Sequence, residues 1–290
     1  MGTPEYTLPE ALMLFHDIGL DGAEIVVQDD YKCGIPVSSN FKLLEDINSL
    51  IQKYNMNISC LTPYNSHFNS ADKDVRERDI ADILKIIGYA DYLGAGYIRL
   101  YAGSALEKTD FTEDNYERLR ESMWILGENA RSKKITLLLE NHFNTMTVSA
   151  KDSVYMMQKI NHPNVRILYD QANLAFMHLE DYQEAINLQK DYISYVHVKD
   201  LVYKNSTEGT HALSSSDVTH QTEEERIVSS RIVGEGILPW PAILKELISV
   251  GYDGWLSLEY ERRWHPADIP DAKTGMKKSA QYIHKCLNAL

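Results

Sequence analysis

Segments with a helical spacing of apolar residues alternate with short apolar runs along most of the chain. Thr7–Leu8–Pro9–Glu10 has the sequence of a capping box, which predicts a first helix that ends at Gly19. Ile80, Ile83 and Ile87 recur on one helical face within a second predicted helix at 74–93. The same spacing predicts further helices at about 43–51, 113–131, 149–160, 179–188, 239–250 and 271–290.

The apolar runs between these helices predict strands at 23–27, 58–63, 97–101, 135–140, 165–169, 193–198 and 254–258. Regular alternation of strands and helices is typical of a parallel sheet. Over 290 residues it predicts one α/β domain, 1–290, folded as a TIM (β/α)8-type barrel. An eighth strand is expected before Thr7, but the segment 1–6 is short and contains glycine and proline. We therefore expect a missing or atypical first strand, and hypothesise that another subunit of a homo-oligomer covers the resulting edge.

The segment 201–233 is irregular and rich in Ser, Thr, Glu and His. It is too long for an ordinary connection, which predicts a functional lid or a mobile loop. His211 and His220 lie within it and are expected to be solvated. The following Gly234–Glu235–Gly236 is too short for a phosphate-binding loop, so we expect it to shape the turn before Pro239.

Four predicted strands end on a residue that a divalent metal accepts. These residues are Glu140, Asp170, His197 and Glu259. In a parallel β/α barrel the carboxyl-terminal ends of all strands share one face, so the four side chains are expected to converge. A single strand-end carboxylate is usually a cap or a surface charge, and a single histidine is usually a hydrogen-bonded core residue. The joint pattern favours a metal site.

Strand parity extends this site. Alternate residues of a strand share a face, which places His142 beside Glu140 and Lys199 beside His197. We expect both His142 and Lys199 to contact substrate. Further candidates are Glu261 as a supporting carboxylate, Arg99 as a counter-charge inside the barrel, and Tyr64 and His67 on the same rim, with His67 as a substrate-binding residue.

Three carboxylates and one imidazole form a hard, oxygen-rich ligand set. Such a set suits one Mn²⁺, Mg²⁺ or Co²⁺ ion, with Mn²⁺ the leading choice, and Zn²⁺ is also accepted. Four protein ligands leave octahedral positions for two oxygens of a hydroxy-ketone, whose carbonyl the ion would polarise. Glu140 and Glu259 come from strands well separated around the barrel, so they could flank the substrate as base and acid.

Charge and cysteine usage exclude several partners. The formal net charge of −13 argues against a duplex nucleic acid and an anionic membrane surface, both of which attract basic proteins. No apolar run approaches the length of a membrane span, and the first twenty or so residues lack a signal-peptide pattern. The three cysteines are far apart and lack CxxC spacing. These features predict a cytoplasmic protein.

The chain resembles the xylose-isomerase-like TIM-barrel superfamily of sugar isomerases and epimerases. The matching segments are 19–24 (GLDGAE), 139–142 (LENH), 169–170 (YD), 197–200 (HVKD), 234–236 (GEG) and 251–254 (GYDG) with 258–259 (LE). Similar proteins include ketose 3-epimerases, hydroxypyruvate isomerase, inosose dehydratase and 3-dehydroshikimate dehydratase. The resemblance implies a divalent metal at the four residues above, with Glu140 and Glu259 as the acid/base pair. It also implies a small carbohydrate or cyclitol substrate, contacted by Arg231.

One departure from the resemblance leaves the reaction open. Asn173 stands where the ketose epimerases have a histidine. Our leading hypothesis is a metal-dependent isomerase or epimerase of a sugar, keto-sugar or inositol derivative. A dehydratase or lyase begins with the same proton abstraction and is the runner-up. A binding barrel without turnover is a third alternative, which the absent strand makes more plausible. An endonuclease IV-like nuclease is least favoured, because it needs a richer histidine set and a less acidic chain.

Overall fold

The computed structural model describes residues 1–105, 107–204 and 226–290, and its centre is a parallel sheet. The strands, in chain order, are β1 (Gly22–Val27), β2 (Asn57–Pro63), β3 (Tyr97–Leu100), β4 (Thr136–Glu140), β5 (Val165–Tyr169), β6 (Ile193–Val198), β7 (Asp200–Tyr203), β8 (Val228–Arg231) and β9 (Leu256–Leu258). Seven of them form one sheet in the order β1-β2-β3-β4-β5-β6-β9, and each neighbouring pair is parallel.

The sheet curves into a nearly closed barrel with helices around it, so the predicted TIM-type fold is confirmed. The expectation of an atypical strand count is confirmed too. Among the described strands, β1 has only β2 as a neighbour in the sheet, and β9 has only β6. A cavity of about 680 Å³ lies along this open edge, with Gly22 and Glu24 of β1 and Ser257 of β9 in its lining.

The irregular segment predicted at 201–233 needs correction at both ends. β7 and β8 form an antiparallel ladder that runs from Asp200 opposite Arg231 to Tyr203 opposite Val228. Sequence patterns missed this pair because each strand has four residues and its partner is distant along the chain. The residues between them, including His211 and His220, lie outside the described residues.

The helices are α1 (Leu8–Asp17), α2 (Phe41–Tyr54), α3 (Lys73–Leu93), α4 (Glu113–Ser132), α5 (Ala150–Ile160), α6 (Gln171–Phe176), α7 (Tyr182–Gln189), α8 (Trp240–Ser249) and α9 (Ala272–Leu287), with a 3₁₀ turn at Lys108–Asp110. The capping box before α1 is present, since Thr7 and Glu10 cap each other. Helix α6 was not predicted, because six residues are too few to show a helical period. No helix in the described ranges is long and apolar enough to cross a membrane.

Strand parity sorts the side chains into two cores. Leu137 and Leu139 of β4 belong to the large apolar core shared with the surrounding helices. Leu138, on the opposite face, packs with Cys60, Leu168 and Tyr195 inside the barrel. Glu140 has the parity of Leu138, so β4 carries its carboxylate to the carboxyl-terminal end of the barrel interior.

Candidate metal centre and substrate cavity

Glu140, Asp170, His197 and Glu259 come together at one end of the barrel. One ligand-type atom from each lies within 4.8 Å of the others. Glu140 is the last residue of β4, Asp170 follows β5, His197 is the fifth residue of β6, and Glu259 follows β9. Each strand therefore delivers its ligand to the same end of the barrel, as expected for parallel strands.

Local hydrogen bonds set the orientation of these ligands. Asp170 is the N-cap of α6, and its Oδ1 accepts the Asn173 backbone N–H at 2.8 Å. This leaves Oδ2 to face the cluster, 3.7 Å from His197 Nδ1. The backbone N–H of Glu259 donates to the carbonyl of Val198 at 3.1 Å, which fixes Glu259 beside β6.

His197 lies at the centre of the cluster. Its Nδ1 is 3.2 Å from Glu140 Oε1 and 3.4 Å from Glu259 Oε2. Burial disfavours the charged imidazole, but the surrounding carboxylates, with Glu24 the strongest, raise the pKa of His197 well above its ordinary value. In the metal-free protein His197 is therefore one of the cations that neutralise the carboxylates.

Lys199 and Arg99 supply two further buried cations. Lys199 Nζ lies 2.7 Å from Glu259 Oε2 and 3.1 Å from Asp170 Oδ2. Burial disfavours the ammonium ion, yet these carboxylates raise the pKa of Lys199 well above its usual range. Arg99 Nε lies 3.3 Å from Glu140 Oε2. The expectation that Arg99 balances a barrel carboxylate agrees with this contact.

The cluster retains polar atoms that the protein does not satisfy. Glu140 Oε2 and Asp170 Oδ2 are buried and accept no well-aligned hydrogen bond from a described residue, although cations lie beside them. Burial tends to raise the pKa of Glu259, but Lys199 and His197 hold it well below the usual range. Buried carboxylate oxygens that lack a hydrogen-bond donor fit a hard divalent cation. The residues present therefore fit one such ion.

A cavity of about 530 Å³ opens beside the cluster and includes Glu259 and Lys199 in its lining. Many of the other lining residues are aromatic or polar, among them Tyr64, Tyr101, His142, Phe143, Phe176, Trp264, Asn173, Arg226, Ser230 and Glu261. Aromatic rings suit the C–H faces of a small ring or chain, and the polar groups suit its hydroxyls. The predicted substrate residues His142 and Lys199 both lie in this lining.

Two other predicted substrate residues do not reach the cavity. Arg231 donates from Nη1 to the carbonyl of Ser230 at 2.8 Å and is absent from the lining. Val228 and Ser230 of β8 line the cavity. Successive residues of a strand point to opposite sides, so the Arg231 side chain points away from the cavity. His67 is also absent from the lining, because its Nδ1 lies 3.2 Å from Asp79 Oδ2 at the protein surface.

The turn containing Gly234–Glu235–Gly236 is organised by Asp200. The Asp200 carboxylate accepts four backbone N–H groups, from Leu201, Gly234, Gly236 and Leu238, at 2.9 to 3.2 Å. A Cβ on Gly236 would lie 2.0 Å from Asp200 Oδ1, and Gly234 has a φ of 91°. Both glycines are thus required by the turn, as predicted.

Sequence reasoning missed Glu24, the third residue of β1. Its carboxylate lies inside the barrel, 3.1 Å from His197 Nε2. Glu24 was overlooked because it lies in the middle of a strand rather than at its end. The available signal was a single acidic residue, Glu24, within the apolar run 23–27. Successive side chains of a strand point to opposite faces, so Glu24 lies on the face opposite Ala23 and Ile25.

The parallel barrel carries a carboxylate-rich cluster of metal-ligand type at the carboxyl-terminal ends of its strands. A family model described as "Xylose isomerase-like TIM barrel" matches residues 13–286. The chain belongs to this family.

Individual relatives agree with this assignment. An inosose dehydratase of Geobacillus thermodenitrificans (strain NG80-2) is 25% identical over 187 residues, which is 62% of this chain. The match spans 57% of that relative's length.

Two solved structures share the fold at low sequence identity. An L-ribulose 3-epimerase superposes with a TM-score of 0.74 at 18% identity, covering 100% of this chain and 91% of the epimerase. A xylose isomerase-like TIM barrel protein from Mycobacterium smegmatis, in complex with magnesium, also has a TM-score of 0.74, at 17% identity. That match covers 97% of this chain and 88% of the other. At these identities the similarity establishes the fold alone.

Proposed function

We propose that this chain is a divalent-metal-dependent enzyme that moves a proton next to the carbonyl of a sugar, keto-sugar or keto-cyclitol. The convergence of Glu140, Asp170, His197 and Glu259 beside a cavity of substrate size carries this proposal. The relatives named above, an inosose dehydratase and an L-ribulose 3-epimerase, support a keto-cyclitol or ketose substrate.

The four clustered residues would hold the ion, with Mn²⁺ our first choice and Mg²⁺ supported by the Mycobacterium smegmatis neighbour. A bound divalent ion acts as a Lewis acid toward a carbonyl oxygen, which acidifies the adjacent C–H bond. Glu259 is our candidate base, because it lines the cavity and is held ionised by Lys199. Glu140 is buried beside Arg99, does not line the cavity, and is proposed as the second member of the acid/base pair.

Isomerisation or epimerisation remains our leading proposal, and a specific observation favours dehydration as the second candidate. Asn173 donates from its amide to the carbonyl of Asn141 at 2.8 Å and accepts from Lys199 Nζ at 2.9 Å. A carboxamide is neither protonated nor deprotonated near neutral pH, so Asn173 cannot act as a general acid or base. Lys199, beside Glu259, is then the available proton donor for a departing hydroxyl group.

A panel of ketoses and inososes, incubated with Mn²⁺ in D₂O, separates these reactions. Epimerisation or isomerisation places deuterium on one carbon and otherwise leaves the molecular formula unchanged. Dehydration instead gives a product that is lighter than the substrate by one water molecule. Glu259→Gln should abolish both outcomes, and Glu184→Gln, at a surface carboxylate whose side chain is 50% exposed, should retain turnover. A wild-type protein that binds Mn²⁺ but exchanges no proton in any compound would contradict the proposal. It would favour a binding barrel instead.

Two further aspects of the proposal concern partners and location. Within the described ranges the four-residue cluster is the one group of metal-ligand type, and it has a single histidine. This composition disfavours a multi-metal nuclease. Cys33, Cys60 and Cys286 are buried and free, which fits the cytoplasmic location that we propose.

A further inference from the structure

Glu24 lies on the side of His197 that faces away from the metal-ligand cluster. Its Oε1 and Oε2 are 3.1 and 3.2 Å from His197 Nε2. The other ring nitrogen, Nδ1, faces Glu140, Asp170 and Glu259. The two nitrogens of His197 therefore have separate environments: one faces a single carboxylate in the barrel interior, and the other faces the candidate ion position.

The Glu24 carboxylate is held by groups from three other strands. Thr62 of β2 donates to Oε1 at 2.8 Å. Ser257 of β9 and Tyr195 of β6 donate to Oε2 at 2.7 and 3.2 Å. These donors favour the ionised carboxylate and fix its orientation. An ionised carboxylate only accepts hydrogen bonds, so the proton between Glu24 and His197 belongs to Nε2.

We propose that Glu24 is a positioning residue that holds the Nε2–H tautomer of His197, so that Nδ1 presents its lone pair to the divalent ion. This inference rests on the proposed metal site and assigns which atom of His197 binds the ion. Partners that orient a ligating histidine commonly change metal affinity by about 10- to 100-fold when they are removed.

A purely structural role for Glu24 is the competing explanation. The Glu24–Ser257 hydrogen bond joins β1 to β9, the two edge strands that do not pair in the described sheet. Removing Glu24 could therefore weaken the site by loosening the barrel. Ser257→Ala is the matched control, because it removes this link between the edges while Thr62 and Tyr195 still hold the Glu24 carboxylate beside His197.

Metal affinity separates the two explanations. Mn²⁺ titration of the full chain, followed by the electron paramagnetic resonance of free Mn²⁺, should give Glu24→Gln a Kd about 10- to 100-fold above that of the wild type. The carboxamide can donate as well as accept, so it no longer selects one tautomer. Ser257→Ala should stay within about threefold of the wild type. Equal Kd values for Glu24→Gln and the wild type would overturn the inference, as would equal losses in both variants.

A second measurement needs no variant. In ¹⁵N-histidine-labelled wild type loaded with diamagnetic Zn²⁺, we expect His197 Nε2 to carry the proton and Nδ1 to show the metal-bound shift. A proton on Nδ1 would overturn the inference even if Glu24→Gln fails to fold. Wild-type protein that takes up neither Mn²⁺ nor Zn²⁺ would overturn the proposed function as well. Metal uptake with a proton on Nδ1 would overturn only the tautomer assignment.

Discussion

Replacing Lys199 with methionine should destabilise the metal-free protein and strengthen metal binding. Lys199 Nζ contacts Glu259, Asp170 and the side-chain oxygen of Asn173 at 2.7, 3.1 and 2.9 Å, and its side chain is 10% exposed. Methionine preserves much of the stem's volume but leaves the two carboxylates without their nearest cation. A divalent ion would supply the missing positive charge.

The expected magnitude follows from burial. Removing one partner of a buried ion pair typically costs about 3–5 kcal/mol, because the remaining charge stays desolvated. An unfolding entropy of about 2.1 cal/mol/K per residue over 290 residues converts this cost to a Tm decrease of about 5–8 °C. In the wild type, an ion at 100 times its Kd adds about 2.7 kcal/mol, or about 4 °C. The metal-induced rise should be larger in Lys199→Met.

Differential scanning calorimetry at pH 8, with EDTA and then with Mn²⁺, tests this expectation. At this alkaline pH, protonation of Glu259 or Asp170 is costly, so a carboxylate that has lost Lys199 cannot readily become neutral by taking up a proton. Lys151→Met is the control, since Lys151 pairs with Glu184 at 3.0 Å on the surface with side chains 67% and 50% exposed. It should change stability by less than about 1 kcal/mol. A Lys199→Met Tm within 2 °C of the wild type in EDTA, or a weaker Mn²⁺ affinity, would refute the reasoning.

Three further predictions concern the surroundings of the site. Gly236→Ala should lower the free energy of unfolding, measured by urea titration, by about 1–3 kcal/mol. The new Cβ would displace the Asp200 carboxylate from the backbone N–H groups that it accepts. An unchanged urea midpoint would contradict this. Asp268 Oδ2 accepts a hydrogen bond from Arg226 Nη2 at 2.8 Å. Burial tends to raise the pKa of Asp268, but the contact with Arg226 lowers it below its ordinary value. Asp268→Asn should therefore destabilise the protein at pH 7, and its difference from the wild type should shrink as pH falls below about 4; a pH-independent difference would argue against the ion pair. His67→Ala should leave KM for any active substrate within about twofold, since the side chain lies outside the cavity; a tenfold rise would place His67 at the substrate.

The sequence by itself determined the barrel and indicated which four candidate metal ligands lie together. Apolar runs with alternating helices specify parallel strands locally, because each element buries its own apolar face. Glu140, Asp170, His197 and Glu259 were identifiable because each lies at a strand end, and parallel strands bring their ends to one edge. Parity similarly placed His142 and Lys199 on the cavity side, where the structure has them.

Tertiary structure decided the contacts that depend on register and distant pairing. The β7–β8 ladder turns Ser230 toward the cavity and Arg231 away from it, and four-residue strands carry too little local pattern to specify this. The hydrogen bond between Glu24 and His197 joins residues 173 positions apart, and no local spacing encodes it. Such contacts form only when the curvature of the sheet brings strands across the barrel interior within hydrogen-bonding distance, and that curvature is a property of the whole sheet.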